Sequence, residues 1–269
     1  MDLKNFAHKT IIEEQQQYFK KTAMKKTAVI LILFVVITSG CKCNKSTAQS
    51  DSLNIEQELI LEQIDDLSEL LDKYYPLISS KDAEIIAPAI KKWTDFYSID
   101  FLQARLVRKD SICFNCSPDT TSMYYREFTH KHNSDKRIDA DYSPDKQLYI
   151  DLGIGGGTYY NEEDKKYYFI GWDDCQEIYL IDRKQKHLNM IIWLGAASLA
   201  EAVFWKSNDL FIIAGYDKGY SDGILRFVYV FDIKEKMQYR YEIATDAKSD
   251  DDQYMNEIYL KEKGIFVSN

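Results

Sequence analysis

No apolar stretch of this 269-residue chain offers the about 20 residues that a helix needs to cross a bilayer. The run "TAVILILFVVIT", residues 27–38, has barely more than half of that. Catalytic signatures are missing too: there is no GxSxG, no HExxH, and only four histidines, one of them (His8) ahead of the apolar run. A Ser/His/Asp triad, whose members stand far apart in a sequence, stays open. Positive charge is scarce. Against 43 Asp and Glu there are 34 Lys and Arg, a formal charge of −9; residues 1–40 hold six of those cations and three of those acids, so the body is more acidic still. Such a body repels phosphate instead of releasing counterions to it, which excludes nonspecific nucleic-acid binding. From about residue 100 long helical patterns are missing as well, which excludes a parallel α/β sheet.

What is present begins at the apolar run. Met24, Lys25 and Lys26 precede it, and Ser39, Gly40 and Cys41 follow it. A basic start, a short apolar middle and a small-residue exit describe a secretory signal peptide. The stretch "ITSGC", residues 37–41, resembles the lipobox of bacterial lipoproteins at Ser39, Gly40 and Cys41; Thr38 stands where that family usually carries Leu, Val or Ile. The resemblance implies cleavage before Cys41, lipid (palmitate among it) on that cysteine, and a cell-envelope protein held to its membrane by acyl chains. Each buried methylene of such a chain contributes about 0.8 kcal/mol. A start at Met24 gives a signal of normal proportions, whereas residues 1–23 would make a long n-region containing Glu13 and Glu14. The alternative is an uncleaved, single-pass signal anchor.

Four stretches follow from composition: a signal segment, 1–40; a polar tether, 41–53; a helical segment, 54–98; and a β-rich domain, 99–269. Ile60, Ile64, Leu67, Leu71 and Tyr74 recur at 4-3-4-3 spacing and predict a helix ending before Pro76. A second helix is expected from Asp82 to about Tyr97, with Ser80 as its cap and Pro88 kinking or splitting it. Beyond it, β-branched and aromatic runs at 149–160, 165–172, 177–182, 189–195, 209–215 and 225–233 are divided by short turn signals. The fold class is therefore α+β, mainly β: a short helical segment, then an antiparallel meander.

The meander echoes itself. "EIYLIDRKQK" at 177 returns as "FVYVFDIKEK" at 227, and "DYSPDKQLYIDLG" at 141 resembles "VFWKSNDLFIIAG" at 203. Such repeats resemble the blades of β-propeller proteins. A further fragment is read at "NEIYLKEKGIFV", 256–267. Two copies and a fragment fall short of a closed ring, so a partial propeller or an open sheet is expected.

Several residues could carry chemistry. Cys113 and Cys116 form a CxxC without the strand-to-helix setting of a redox pair, and with Cys175 they suit a structural disulfide in an oxidising compartment. With His130 and His132 the same pair could make up a zinc set, a weaker reading. "GIGGG", 153–157, lacks the Lys-Ser/Thr and the helix of a phosphate loop and reads as a hairpin turn or bulge. Asp139, Asp141, Ser143 and Asp145 alternate as calcium ligands can, but Pro144 and Ile150 stand where an EF-hand needs Gly and Glu. No catalytic set and no cofactor is assigned. Three functions remain: a lipid-anchored binding module taking a protein, peptide or glycan on its Tyr- and Trp-rich surface; an envelope hydrolase with a dispersed site; or an assembly lipoprotein docking through helix 54–75. The first expects exposed aromatics around Tyr159, Tyr160 or Trp172. The second expects gathered acids or histidines, and the third an exposed apolar stripe.

Overall fold

The computed structural model describes residues 72–112, 137–171, 175–218, 224–245 and 254–268. All belong to one compact unit, Leu70–Asn269. The signal segment, Cys41, the tether and nearly all of helix 54–75 lie outside the described residues, as do Cys113, Cys116, His130, His132 and Trp172.

Helix α1 is Ser80–Tyr97. Its cap is Ser79, one residue earlier than expected: the Ser79 hydroxyl accepts from the Asp82 amide at 3.1 Å, satisfying one orphan donor of the first turn. The helix runs through Pro88 without splitting. Pro88 is exposed, as is Glu84, whose carbonyl has no intrahelical donor at the proline. Ala83, Ile86, Ile90, Trp93 and Tyr97 make the buried stripe, and α1 packs on the strands Ser198–Trp205 and Leu210–Lys218. Ser98, left-handed at φ 54°, ends the helix.

The β domain is a set of open, mainly antiparallel sheets. The first has the order β2-β3-β6-β7, with β2 Ala140–Tyr142, β3 Leu148–Asp151, β6 Cys175–Asp182 and β7 His187–Gly195. The second, β1-β11-β10-β9-β8, is a four-stranded meander, β8 Ser198–Trp205, β9 Leu210–Lys218, β10 Ile224–Asp232 and β11 Met237–Thr245, to which β1 Arg105–Ser111 adds an edge. The two echoed stretches occupy equivalent places: 177–186 is the third strand and third turn of the first meander, and 227–236 is the same in the second. Likewise 141–153 and 203–215 are the first two strands of each. Between β3 and β6 the first meander carries an insertion, the hairpin of β4 Thr158–Asn161 and β5 Lys166–Phe169, which pairs in parallel with β12 Ile265–Val267 as a three-stranded sheet. The fragment at 256–267 is no third blade. It is a π-helical turn, Met255–Tyr259, a short α-helical turn, Leu260–Glu262, and β12.

Turn chemistry explains the hairpins. Asp182 and Asp232 each accept from the backbone amide three residues on, Gln185 at 2.8 Å and Glu235 at 2.9 Å. Each four-residue loop then closes on a left-handed lysine, Lys186 and Lys236, both at φ 55°. A side chain there costs about 1–2 kcal/mol that glycine would avoid. Residues from α1, both meanders and the C-terminal segment share one apolar core.

Candidate functional site

Three constellations stand out above the core, and the first lies on the inserted sheet. The β4–β5 turn is set by Asn161, whose side chain accepts from the Glu163 amide at 2.9 Å, and by left-handed Lys165. At the base of the hairpin Gly157 lies so close to Gly171 that an added Cβ would sit 2.0 Å from the Gly171 carbonyl oxygen. Gly157, the last glycine of "GIGGG", is therefore needed for close backbone packing. Residues Ile154–Gly157 form a 3-10 turn crossing from the first sheet to the inserted one, instead of the hairpin turn expected from sequence.

Register then aligns three rings. Tyr159 pairs with Tyr168, and Tyr168 with Phe266. Their centroids are 5.7 and 5.8 Å apart at interplanar angles of 23° and 39°. Tyr159 and Phe266 keep 45% and 44% of their surface exposed. Polar groups flank the row: the Tyr168 hydroxyl donates to Asp164, and the Lys166 ammonium lies 4.7 Å from the Phe266 centroid. Tyr160, also exposed, is on the other face beside Tyr167. Singly exposed apolar residues are ordinary; a contiguous row is a candidate contact surface.

The second constellation gathers acids around β2. Asp139 takes both sides of the Arg137 guanidinium, at 3.0 and 2.5 Å, and Asp151 takes the same group at 2.8 Å. Asp141 accepts from the Tyr259 hydroxyl and pairs with Lys263 at 2.8 Å. Ser143 and Asp145 instead build the β2–β3 turn, Asp145 accepting from the Ser143 hydroxyl at 2.8 Å and the Gln147 amide at 3.0 Å. The alternating acids thus do not converge as calcium ligands, because each already has its own donor. Asp139 and Asp151 share the Arg137 cation and Asp141 has Lys263, and the Asp141 contacts staple the C-terminal segment to β2.

Burial raises the Asp141 carboxyl above the usual carboxylate range despite Lys263 and Tyr259. It does the same to Asp151 despite Arg137, and to Glu242 despite Arg240. Each group binds its proton more tightly folded than unfolded. Its stabilising contribution is complete below the unfolded value, about 4, and is lost as pH rises through the raised value. The thermal midpoint should accordingly rise as pH is lowered from 7 towards 5. Asp141→Asn, which cannot titrate, should show a smaller rise, and equal rises in the two proteins would refute this assignment.

The third constellation is buried. Glu201 on β8 and Arg226 on β10, 0% and 2% exposed as side chains, pair at 3.2 Å. The Glu201 carboxylate also accepts from the Trp93 indole at 3.0 Å and the Tyr97 hydroxyl at 2.5 Å. The Arg226 guanidinium lies 3.4 Å from the Tyr97 ring centroid. Tyr97 in turn accepts from the Tyr254 amide at 3.1 Å, and burial, then Glu201, raises its phenol. None of these residues was singled out from sequence. Only the odd glutamate in "SLAEAVFW", an otherwise apolar strand, signals them.

Cys175 is half-buried at the start of β6 and forms no disulfide among the described residues; its candidate partners lie outside them. Among the described residues no helix is long and apolar enough to cross a membrane. Searches against protein-family models, curated proteins and solved structures gave no match.

Proposed function

We propose that this chain is a lipid-anchored cell-envelope protein whose β domain is a binding module for a protein, peptide or glycan. The observation that carries the reading is the row Tyr159–Tyr168–Phe266, exposed at both ends and half-buried at its centre. Aromatic faces offer large contact area at small entropic cost, and the flanking Lys166 and Asp164 supply orienting polar contacts. The lipobox-like "ITSGC" supports the anchor. The hydrolase reading draws less support, since the gathered acids of β2 are each engaged by a cation or a turn.

Two measurements test the proposal separately. Metabolic labelling with a clickable palmitate should mark the wild type and not Cys41→Ala; equal label on both would sink the anchor. For the row, pull-down on isolated cell-wall glycan and on envelope protein extract should retain the wild type. Tyr159→Ala/Tyr168→Ala should reduce that retention at least tenfold, a hot-spot effect, with the thermal midpoint held. Unchanged retention would dismiss the row as the binding surface.

A further inference from the structure

The two meanders turn at one common end. Arg183 donates from its backbone amide to the Gln147 carbonyl at 3.1 Å and from its guanidinium to the Lys146 carbonyl at 2.9 Å, joining the β6–β7 and β2–β3 turns. The Asp145 amide donates to the Asn208 side chain at 3.0 Å, joining the β2–β3 and β8–β9 turns. The Ile233 amide donates to the Asp209 carbonyl at 2.8 Å, joining the β8–β9 and β10–β11 turns. Four turns therefore make one continuous tip.

That tip carries six exposed lysines: Lys146, Lys184, Lys186, Lys206, Lys234 and Lys236. Among the described residues none of the six enters an ion pair. Three of the tip's carboxylates, Asp145, Asp182 and Asp232, are turned onto backbone amides; Asp209 and Glu235 are the exposed others. With Arg183 the tip holds seven cations against five acids, in a chain of formal charge −9. The remainder of the protein is correspondingly more acidic. Three of the lysines, Lys146, Lys186 and Lys236, hold left-handed φ of 60°, 55° and 55°, where glycine would be the cheaper residue.

We infer that this lysine tip docks on the anionic phospholipid headgroups of the membrane to which the chain is tethered. The inference rests on the lipid-anchor reading, which brings the domain and the bilayer to high effective concentration, so that modest attraction suffices. Charge complementarity selects the end: within a Debye length of about 8 Å only the tip's charges count, and the acidic remainder is repelled. Chain length permits the pose. The described residues begin at the opposite end, where Asp72 pairs with Arg105 at the start of β1, but the 30 residues between Cys41 and Asp72 can span at most about 100 Å. The nine-residue strands are only about 30 Å long. The inserted sheet leaves β3 at the end away from the tip, so docking points the aromatic row away from the bilayer.

The test uses the mature chain of the lipid-anchor reading, residues 41–269 with Cys41→Ala and without the signal segment, in sedimentation on vesicles of phosphatidylglycerol and phosphatidylcholine against vesicles of phosphatidylcholine alone. Binding to the anionic vesicles should exceed binding to the neutral ones and fall steeply with salt. Lys146→Gly/Lys186→Gly/Lys236→Gly removes three charges while relieving the turns. It should weaken anionic-vesicle binding about fivefold per lysine, on the order of a hundredfold in all, with a thermal midpoint equal to or above that of its parent. Lys184→Gln/Lys234→Gln, at unstrained positions, should weaken it too. Equal affinity for the two vesicle types, or unchanged binding in both variants, overturns the inference. Palmitate labelling reports separately on the anchor, so loss of label with lysine-dependent binding intact faults the anchor and not the tip.

Discussion

Glu201→Gln is expected to destabilise the protein by about 3–5 kcal/mol, the range for removing one partner of a buried ion pair. In the folded protein Glu201 is fully enclosed and takes hydrogen bonds from Trp93, Tyr97 and Arg226. The indole and the phenol use different carboxylate oxygens, so the single oxygen of an amide can accept from only one of them. Nor can the amide balance the Arg226 charge, which stays buried against the Tyr97 ring. For a unit of this size the loss is a fall on the order of 10 °C in thermal midpoint. Glu201→Leu/Arg226→Met removes both charges and should recover part of the loss, not all of it, because the Trp93 indole and the Tyr97 hydroxyl lose their acceptor. Thermal denaturation of the three proteins decides the matter. A Glu201→Gln midpoint within 1 °C of the wild type would mean that the pair is not the linchpin between α1 and the second sheet.

The second large effect is expected at Gly215. It sits mid-strand in β9, paired with Ala200 on one side and Phe227 on the other. The β8 register shifts between Ala200 and Ala202, and bulges of this kind press a strand against its neighbour. A Cβ on residue 215 would lie 2.1 Å from the Leu199 carbonyl oxygen and 2.8 Å from the Ala200 Cα. Both are backbone atoms, so no rotamer change relieves them. Gly215→Ala should therefore cost about 3 kcal/mol or more, the upper part of the overpacking range, with a midpoint loss comparable to that of Glu201→Gln. A loss under about 1 kcal/mol would show that β8 can retreat. Gly264, where an added Cβ meets nothing within 4 Å, is a poor comparison because its φ of 71° is itself unfavourable for other residues. Ala214→Gly, on the neighbouring buried residue, is the better control and should show the ordinary loss of about 1 kcal/mol.

Much of the fold was legible because its signals are local. Alternating β-branched and aromatic residues mark β6, β9 and β10 within a few positions, and the Asp-to-Lys turns after β6 and β10 recur with the same capping bonds. The echo between 177–186 and 227–236 was legible for that reason. The helix end at Tyr97 was legible as well. Its cap was displaced by one residue and its start by two, because Ser79 and Ser80 are equivalent as letters and only geometry shows which hydroxyl reaches Asp82. The fragment at 256–267 misled because "EIYL" is a strand-like run whose helical state is imposed by burial: Met255, Tyr259 and Leu260 all pack into the core.

The sequence by itself determined the acidic, β-rich class, the two-fold repeat of the meander and the turn chemistry that closes it. Each is written in residues near one another along the chain. The tertiary structure alone decided the contacts between distant segments. It placed Phe266 on β12 beside Tyr168 on β5, completing the aromatic row. It set Lys263 against Asp141, and it enclosed Glu201 between α1 and β10. It also brought four turns, each unremarkable alone, to one end as a lysine tip. Long-range pairing depends on how whole faces are buried, and no local pattern of residues encodes the partner.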